Sequence, residues 1–246
     1  MKNLSQKDEK MIRSLQQKKF RKKHQLFVVE GEKLVKEAMA SSYTVRWVIS
    51  SMPELKLPIN GDHFNCDELQ MKRISSLTSP PGVLAVVEIP FELQLEQEEL
   101  MLVLEKIQDP GNLGTIIRTA DAFGIKTIVC STDTVDWYSP KVVQATMGSI
   151  FRVKISVKEL QPYLNEKAKT SVLYAAHLGG NNIYQSTVKT PAVLIMGNES
   201  HGISAEVMEI VQERVKIPIS GDAESFNVSI ATAILLGEFT RQLSWQ

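Results

Sequence analysis

The stretch LMLVLEKIQDPGNLGTIIRTADAFG, Leu100 to Gly124, sets an apolar run against a proline turn and then against a helical pattern. Leu100 to Ile107 read as a strand buried on both faces, because apolar residues fill consecutive positions rather than every second one. Asp109-Pro110-Gly111 is expected to make the turn, with Asn112 as N-cap of the helix that follows. On that helix Leu113, Ile116, Ile117, Ala120 and Phe123 fall toward the core, while Gly114 and Arg118, four apart, share a face. A glycine in a first helical turn costs about 1 kcal/mol relative to alanine. That cost suggests close approach by a substrate or another backbone, with Arg118 over the same spot. Simple capping, with Arg118 paired to Asp121, remains an equal alternative for this stretch alone.

Further apolar strand candidates follow at 126–131, 171–176, 192–196 and 214–219, most of them separated by helical stretches. Strands so apolar and so spaced imply a parallel sheet covered on both faces. A last helix over about 225–243 is too apolar for a lone surface helix, so burial in the core or in a subunit interface is expected. Upstream, a polar helix over 5–23 precedes QLFVVEG and TVRWVIS as strands, EKLVKEAMA and CDELQMKRISSL as helices, and GVLAVVEIP as a strand. The reading is α/β throughout: a smaller unit over 1–90, an acidic linker over 91–99, and a parallel-sheet domain over 100–246.

The 246 residues are 43% hydrophobic and carry no net charge, which is the composition of a soluble globular protein. No apolar run reaches membrane-spanning length and the N-terminus is too charged for a signal peptide, so a cytoplasmic protein is expected. Cys66 and Cys130 lie far apart and the four histidines show no ligand spacing, so neither a disulfide framework nor a metal is expected. The neutral total hides a local excess: residues 1–36 hold eleven Lys and Arg against four acids. Arg13, Lys18, Lys19, Arg21, Lys22 and Lys23 are the candidate nucleic-acid contacts there. A solvated helix face would carry the same charges.

Two more turns follow apolar strands, where ligands of open parallel sheets sit. AVLIMGNESHGIS, Ala192 to Ser204, runs a strand into Gly197 and Gly202, glycines that permit positive φ or a ligand against the backbone. Glu199 between them could bond an amide, a hydroxyl or a guanidinium, or could merely cap the next helix. His201 is assigned no catalytic part. VKIPISGDAESFNVSIATAILLGEF, Val215 to Phe239, places Ser225, Asn227 and Ser229 at the start of the final helix, where capping accounts for one or two of the three. Neither a P-loop nor a G-x-G-x-x-G turn is present.

Together the three stretches resemble the SpoU, or TrmH-like, branch of the SPOUT RNA methyltransferases. The matching residues are N-x-G-x-x-x-R at Asn112, Gly114 and Arg118, G-x-E-x-x-G at Gly197, Glu199 and Gly202, and I-P-I with S-F-N-V-S at Ile217 to Ser229. The first part of the chain, FVVEGEKLVKEAM above all, is similar to the L30e-like substrate-binding domain of such enzymes. Phe226 stands where the family often has leucine. The resemblance implies a deep trefoil knot in the second domain, an exception to the rule against threaded loops, and a homodimer joined through the knots. It implies S-adenosylmethionine as cofactor, held by Met196, Gly197, Asn198, Gly202, Ile217, Ile219 and Phe226, with Ala176 and His177 of AAHLGG as another wall. The acceptor would be a ribose 2′-hydroxyl, more in keeping with 23S or other large-subunit ribosomal RNA than with transfer RNA. A non-catalytic RNA-binding protein of the same fold is the remaining alternative.

By the same resemblance Arg118 activates the hydroxyl, Ser225 and Asn227 orient Arg118, and Asn112 and Glu199 hold Arg118 and the turn. Deprotonating an arginine at neutral pH costs on the order of 7 kcal/mol. Positioning and charge stabilisation by Arg118 are therefore at least as good an account as proton abstraction.

Overall fold

The structure, a computed structural model, describes residues 2–52, 62–91 and 98–244. Their elements begin with β1 (Lys2–Asn3), α1 (Gln6–Ser14), α2 (Lys18–His24), β2 (Leu26–Glu30), α3 (Glu32–Ala40), β3 (Val45–Ser50), β4 (Asp62–Asn65), α4 (Glu68–Ile74) and β5 (Val83–Glu88). They continue with β6 (Leu100–Leu104), α5 (Pro110–Ala122), β7 (Thr127–Cys130), α6 (Pro140–Thr146), β8 (Lys154–Val157), α7 (Leu160–Lys167) and β9 (Val172–Asn182). The last are β10 (Ala192–Met196), α8 (Ala205–Met208), β11 (Glu213–Lys216) and α9 (Val228–Ser244). Two compact units result: Met1–Glu92 with Asp136–Arg152, and Leu93–Val135 with Val153–Gln246. Most of the expected linker, residues 92–97, lies outside the described residues.

The first unit is a mixed five-stranded sheet in the order β1-β4-β3-β5-β2. Its most recognisable sequence, FVVEG, acquires a physical reason. Glu30 ends β2 buried at 4% exposure, and its carboxylate accepts the Ser75 hydroxyl together with the amide (2.8 Å) and hydroxyl (2.5 Å) of Ser76. Those donors stand just past α4, so the acid joins a strand end to a helix end, and a buried carboxylate without them would be strongly destabilising. Gly31 follows at φ +96°, in the left-handed region that favours glycine.

Residues 136–152 fall within the stretch expected for the second domain, yet they pack in the first unit. Phe27, Tyr43, Tyr138 and Phe151 form an aromatic cluster with centroids 4.6 to 6.3 Å apart. Arg21, 3% exposed, bonds Asp136 at 2.6 and 3.0 Å and donates to the carbonyls of Leu15 and Gln16 at 2.7 and 2.9 Å. Those carbonyls lie at a break between α1 and α2. The single helix expected over 5–23 is therefore two, and Arg21 satisfies the acceptors that the break frees. Arg21 must also leave the set of candidate RNA contacts, since its guanidinium is spent inside the unit.

The second unit is the expected parallel sheet, six strands in the order β11-β9-β10-β6-β7-β8. Met101, Val103, Val129, Leu173, Val193 and Ile195 cover one face against Leu160, Leu164 and Val207. Helices α5 and α9 pack on each other, with Phe123 against Gly237. β8 was not foreseen: its four residues alternate lysine, isoleucine, serine and valine, too short a run to separate from loop. β1 and β4 are short and polar and left no signal for the same reason. Burial pushes the Cys130 thiol up to about 12, so this cysteine is a small core residue rather than a reactive one. Among the described residues no helix is long and apolar enough to cross a membrane, and no group of three potential metal ligands occurs.

Arg21→Ala should destabilise the protein by about 3 kcal/mol, because it strands Asp136 and two carbonyls. Urea unfolding checks this, and an unchanged midpoint would contradict the role given to the pair.

Candidate functional site

In a sheet whose strands all run parallel, the carboxyl ends share one edge. The turns after β6 and β10, the segment after β11 and part of β9 meet there. Arg214 and Val215 are neighbours on β11, but their partners on β9 are Ala175 and Asn181, so residues 176–180 bulge from the ladder. AAHLGG is thus inside a long strand rather than after it. A Cβ on Gly180 would fall 2.6 Å from Arg214 C and Val215 N, which is the close approach that fixes the bulge.

The turn after β6 differs in one respect from expectation. Asp109, not Asn112, is the N-cap: its Oδ1 accepts the Asn112 amide at 2.8 Å, and Pro110 occupies the first helical position, for which its fixed φ is suited. That frees the Asn112 side chain. Its Nδ2 donates to Glu199 Oε1 at 2.9 Å, and its Oδ1 accepts from Asn227 Nδ2 at 3.0 Å. Asn227 Oδ1 in turn accepts the Ser229 amide at 2.9 Å and hydroxyl at 2.6 Å, while the Asn227 carbonyl accepts the Ala231 amide. Asn227 therefore caps α9, which starts at Val228 rather than 225. One continuous chain of bonds joins the three motifs.

The direction of that chain is fixed at both ends. A backbone amide can only donate and an ionised carboxylate can only accept. Each asparagine between them consequently has one allowed amide orientation. Glu199 is used in this chain and not as a helix cap, since Ser204 precedes α8 and Glu105 Oε2 takes the Ser204 amide at 3.0 Å.

The turn after β10 is a tight hairpin: Asn198 and Gly202 exchange both backbone bonds at 3.0 Å, with Gly202 at φ +68°. A Cβ on Gly197 would lie 2.5 Å from Gly202 O and Ile203 N, so only glycine fits. Asn198 pins the hairpin, donating to Lys106 O at 2.9 Å and accepting the amides of Ser200 and His201 at 2.9 and 3.1 Å.

A cavity of about 580 Å³, within the size range of small-molecule sites, opens beside this hairpin. All nine residues expected around the cofactor line it: Ala176 and His177 from the bulge, Met196, Gly197, Asn198 and Gly202 from the hairpin, and Ile217, Ile219 and Phe226 from the segment after β11. Glu199, Ser225 and Asn227 line it as well. Leu178, Glu224 and Leu235 also do, and sequence did not indicate them: the bulge, the segment after β11 and α9 respectively bring them in. A second cavity of about 640 Å³ lies along the same hairpin and includes Asn112. Gly114 is buried on α5, and Arg118 is exposed further along that helix and lines neither cavity. In the first unit Arg13, Lys18, Lys19, Lys22 and Lys23 are exposed, with the Lys19 ammonium 4.8 Å from the Phe20 ring centroid.

Comparison with known proteins bears on this arrangement. Residues 99–237 match the model of the SpoU rRNA Methylase family, and residues 8–85 match that of the MRM3-like substrate binding domain. Over 230 residues, 91% of this chain and 92% of the relative, the chain is 34% identical to the 23S rRNA (guanosine(2553)-2′-O)-methyltransferase RlmP of Bacillus subtilis. A TrmH-family RNA methyltransferase structure from Porphyromonas gingivalis superposes with a TM-score of 0.88 at 38% identity, covering 97% of this chain and 99% of that one. The AdoMet-bound rRNA methyltransferase from Sinorhizobium meliloti gives 0.87 at 31% identity, covering 99% and 97%.

The fixed bond direction makes a test. Asn227→Asp keeps the acceptor for Ser229 but sets a carboxylate against Asn112 Oδ1; if Asn112 turns over, its oxygen meets Glu199 instead. The variant should lose about 1 kcal/mol relative to wild type at pH 7. The crowded carboxyl has a folded pKa above its unfolded value, so the deficit should shrink as pH falls toward 4, where a proton restores a donor. Urea titrations of both proteins at the two pH values check this, and a deficit independent of pH would sink it.

Proposed function

The chain belongs to the SpoU rRNA Methylase family, and on that premise we propose that it transfers the methyl group of S-adenosylmethionine to a ribose 2′-hydroxyl of large-subunit ribosomal RNA. The observation that carries the reading is the meeting of a cofactor-sized cavity with the bonded Glu199–Asn112–Asn227 chain at one sheet edge.

The residues present suit this cofactor. Ile217, Ile219, Phe226 and Leu178 offer apolar surface for a flat purine, the hairpin supplies main-chain groups, and Glu199 and Glu224 supply negative charge for a sulfonium and an ammonium. When bound, the cofactor provides an electrophilic methyl on positively charged sulfur. The chain does the rest by placement. Asn112 and Asn227 hold Glu199 in one orientation, and Ser225 offers a hydroxyl at the cavity wall. Arg118 lines neither cavity within one chain, so in this reading a second copy brings its guanidinium to the edge, where it would stabilise the charge on the 2′-oxygen as that oxygen loses its proton to water, together with the neighbouring phosphate. The knot and a homodimer belong to the same proposal. Leu178 at 64% and Ile230 at 49% exposure leave apolar surface that a second copy would cover. The substrate-binding module over 8–85 favours a large structured RNA, with Arg13, Lys18, Lys19, Lys22 and Lys23 contacting phosphates.

Arg118→Lys keeps the charge but not the planar fork, so methyl transfer should fall at least tenfold while the S-adenosylmethionine affinity measured by titration calorimetry stays within twofold. Wild-type transfer by that variant removes Arg118 from the mechanism. Mapping 2′-O-methyl groups across ribosomal and transfer RNA in a deletion strain tests the acceptor. A mark lost from large-subunit ribosomal RNA is expected, whereas loss only from transfer RNA would select that substrate. Absence of calorimetric heat with S-adenosylmethionine would select the non-catalytic reading.

A further inference from the structure

The bulge of β9 that walls the 580 Å³ cavity contains a bond whose direction fixes a proton. Pairing with β11 stops at Ala175 and resumes at Asn181, and the Cβ that Gly180 lacks would strike β11, so residues 176–179 are held at both ends. Between those ends the His177 side chain folds back on its own loop. Its Nδ1 accepts the Gly179 amide at 3.0 Å, and a Cβ on Gly179 would fall 3.3 Å from both Nδ1 and Cε1 of the ring. The turn so closed spans Leu178, which lines the cavity and offers it apolar surface.

A backbone amide only donates, so Nδ1 must hold a lone pair and the ring proton sits on Nε2. A second proton makes Nδ1 a donor that faces a donor. The bond is then lost, and the turn over Leu178 loses its tie. The new charge acts in the same direction, because an imidazolium would repel the sulfonium and the ammonium of S-adenosylmethionine.

Other charged groups stand around the same cavity: Glu199 on the hairpin, Lys216 on β11 and Glu224 in the segment after it. Glu213 and Arg214, also on β11, line a separate polar cavity with Asn181 and Gln185. Histidine is the side-chain type that gains a proton between about pH 8 and 5, and a second one, His201, lines the cofactor cavity too. It answers a proton differently. Its Nδ1 lies 3.3 Å from Asn198 Oδ1, an oxygen that already accepts the amides of Ser200 and His201 while the Asn198 Nδ2 donates to Lys106. A protonated His201 can donate to that oxygen, so its contact survives where that of His177 breaks.

Resting on the methyltransferase reading, we propose that His177 is a positioning residue that holds the bulge in its cofactor-binding shape only while uncharged, so that affinity for S-adenosylmethionine falls as the pH falls.

Calorimetric titration of the full-length protein with S-adenosylmethionine at pH 7.5 and 5.5 tests this. Wild-type affinity should fall about tenfold between the two, following the uncharged fraction of a free imidazole. An asparagine can accept the amide two residues on, in an Asx-turn, without titrating. His177→Asn should therefore bind more tightly than His177→Ala, and equally at both pH values. His201→Gln should keep the wild-type ratio. Long-range ¹H–¹⁵N correlations of the His177 ring at pH 7.5 should show the proton on Nε2. A wild-type affinity that does not change with pH, a His177→Asn variant that keeps the wild-type ratio, a ratio lost in His201→Gln, or a proton on Nδ1 would each overturn the proposal. A general effect of acid on the fold would persist in His177→Asn and so counts among these. Failure to bind at either pH removes the methyltransferase reading together with this inference, whereas equal binding at both removes the inference alone.

Discussion

The site depends on a hydrogen-bond chain with only one possible direction. Ser229 donates from its backbone at one end and the Glu199 carboxylate accepts at the other, so Asn227 and Asn112 between them are each held in one orientation. The bonds are partly exposed, and singly each is worth about 1 kcal/mol. Their value lies in joining residues 112, 199 and 227 of one sheet edge into a single unit, so that no motif moves without the others.

Glycine supplies the second constraint, by absence of a side chain rather than by flexibility. Gly197 and Gly180 each stand where a Cβ would enter neighbouring backbone. The first lets the hairpin close on itself directly after β10. The second lets β11 pass against β9 while five residues of β9 bulge outward. Between the hairpin and the bulge lies the space assigned to the cofactor, a cavity formed by main chain first and lined by side chains afterwards.

In the first unit buried charge plays the organising part. Glu30 and Arg21 are each surrounded by partners from distant sequence, the serines after α4 in one case and Asp136 in the other. Such groups add little net stability when fully paired, but they penalise every arrangement that leaves them unpaired. They select one packing of short, polar elements whose own propensities are weak.

Much of this was legible in the sequence because it is written at short range. Consecutive apolar residues marked the strands of the second sheet, since burial on both faces demands them. Paired glycines marked the hairpin, and the order of the three motifs gave the family and nine residues of one cavity. Short range also set the limits. Asn112 read as a cap because the sequence shows a capping residue before a helix but not that Asp109 and Pro110 already fill the first positions. Arg21 read as one more surface cation because its partner lies 115 residues away. β8 and the short edge strands had no periodicity to detect. The sequence by itself determined the strands, the turns and the chemistry available at their ends. Only the tertiary structure decided which of those groups face each other, because the Asn112–Glu199 and Asn227–Asn112 bonds span 87 and 115 residues, and no local pattern carries contacts of that separation.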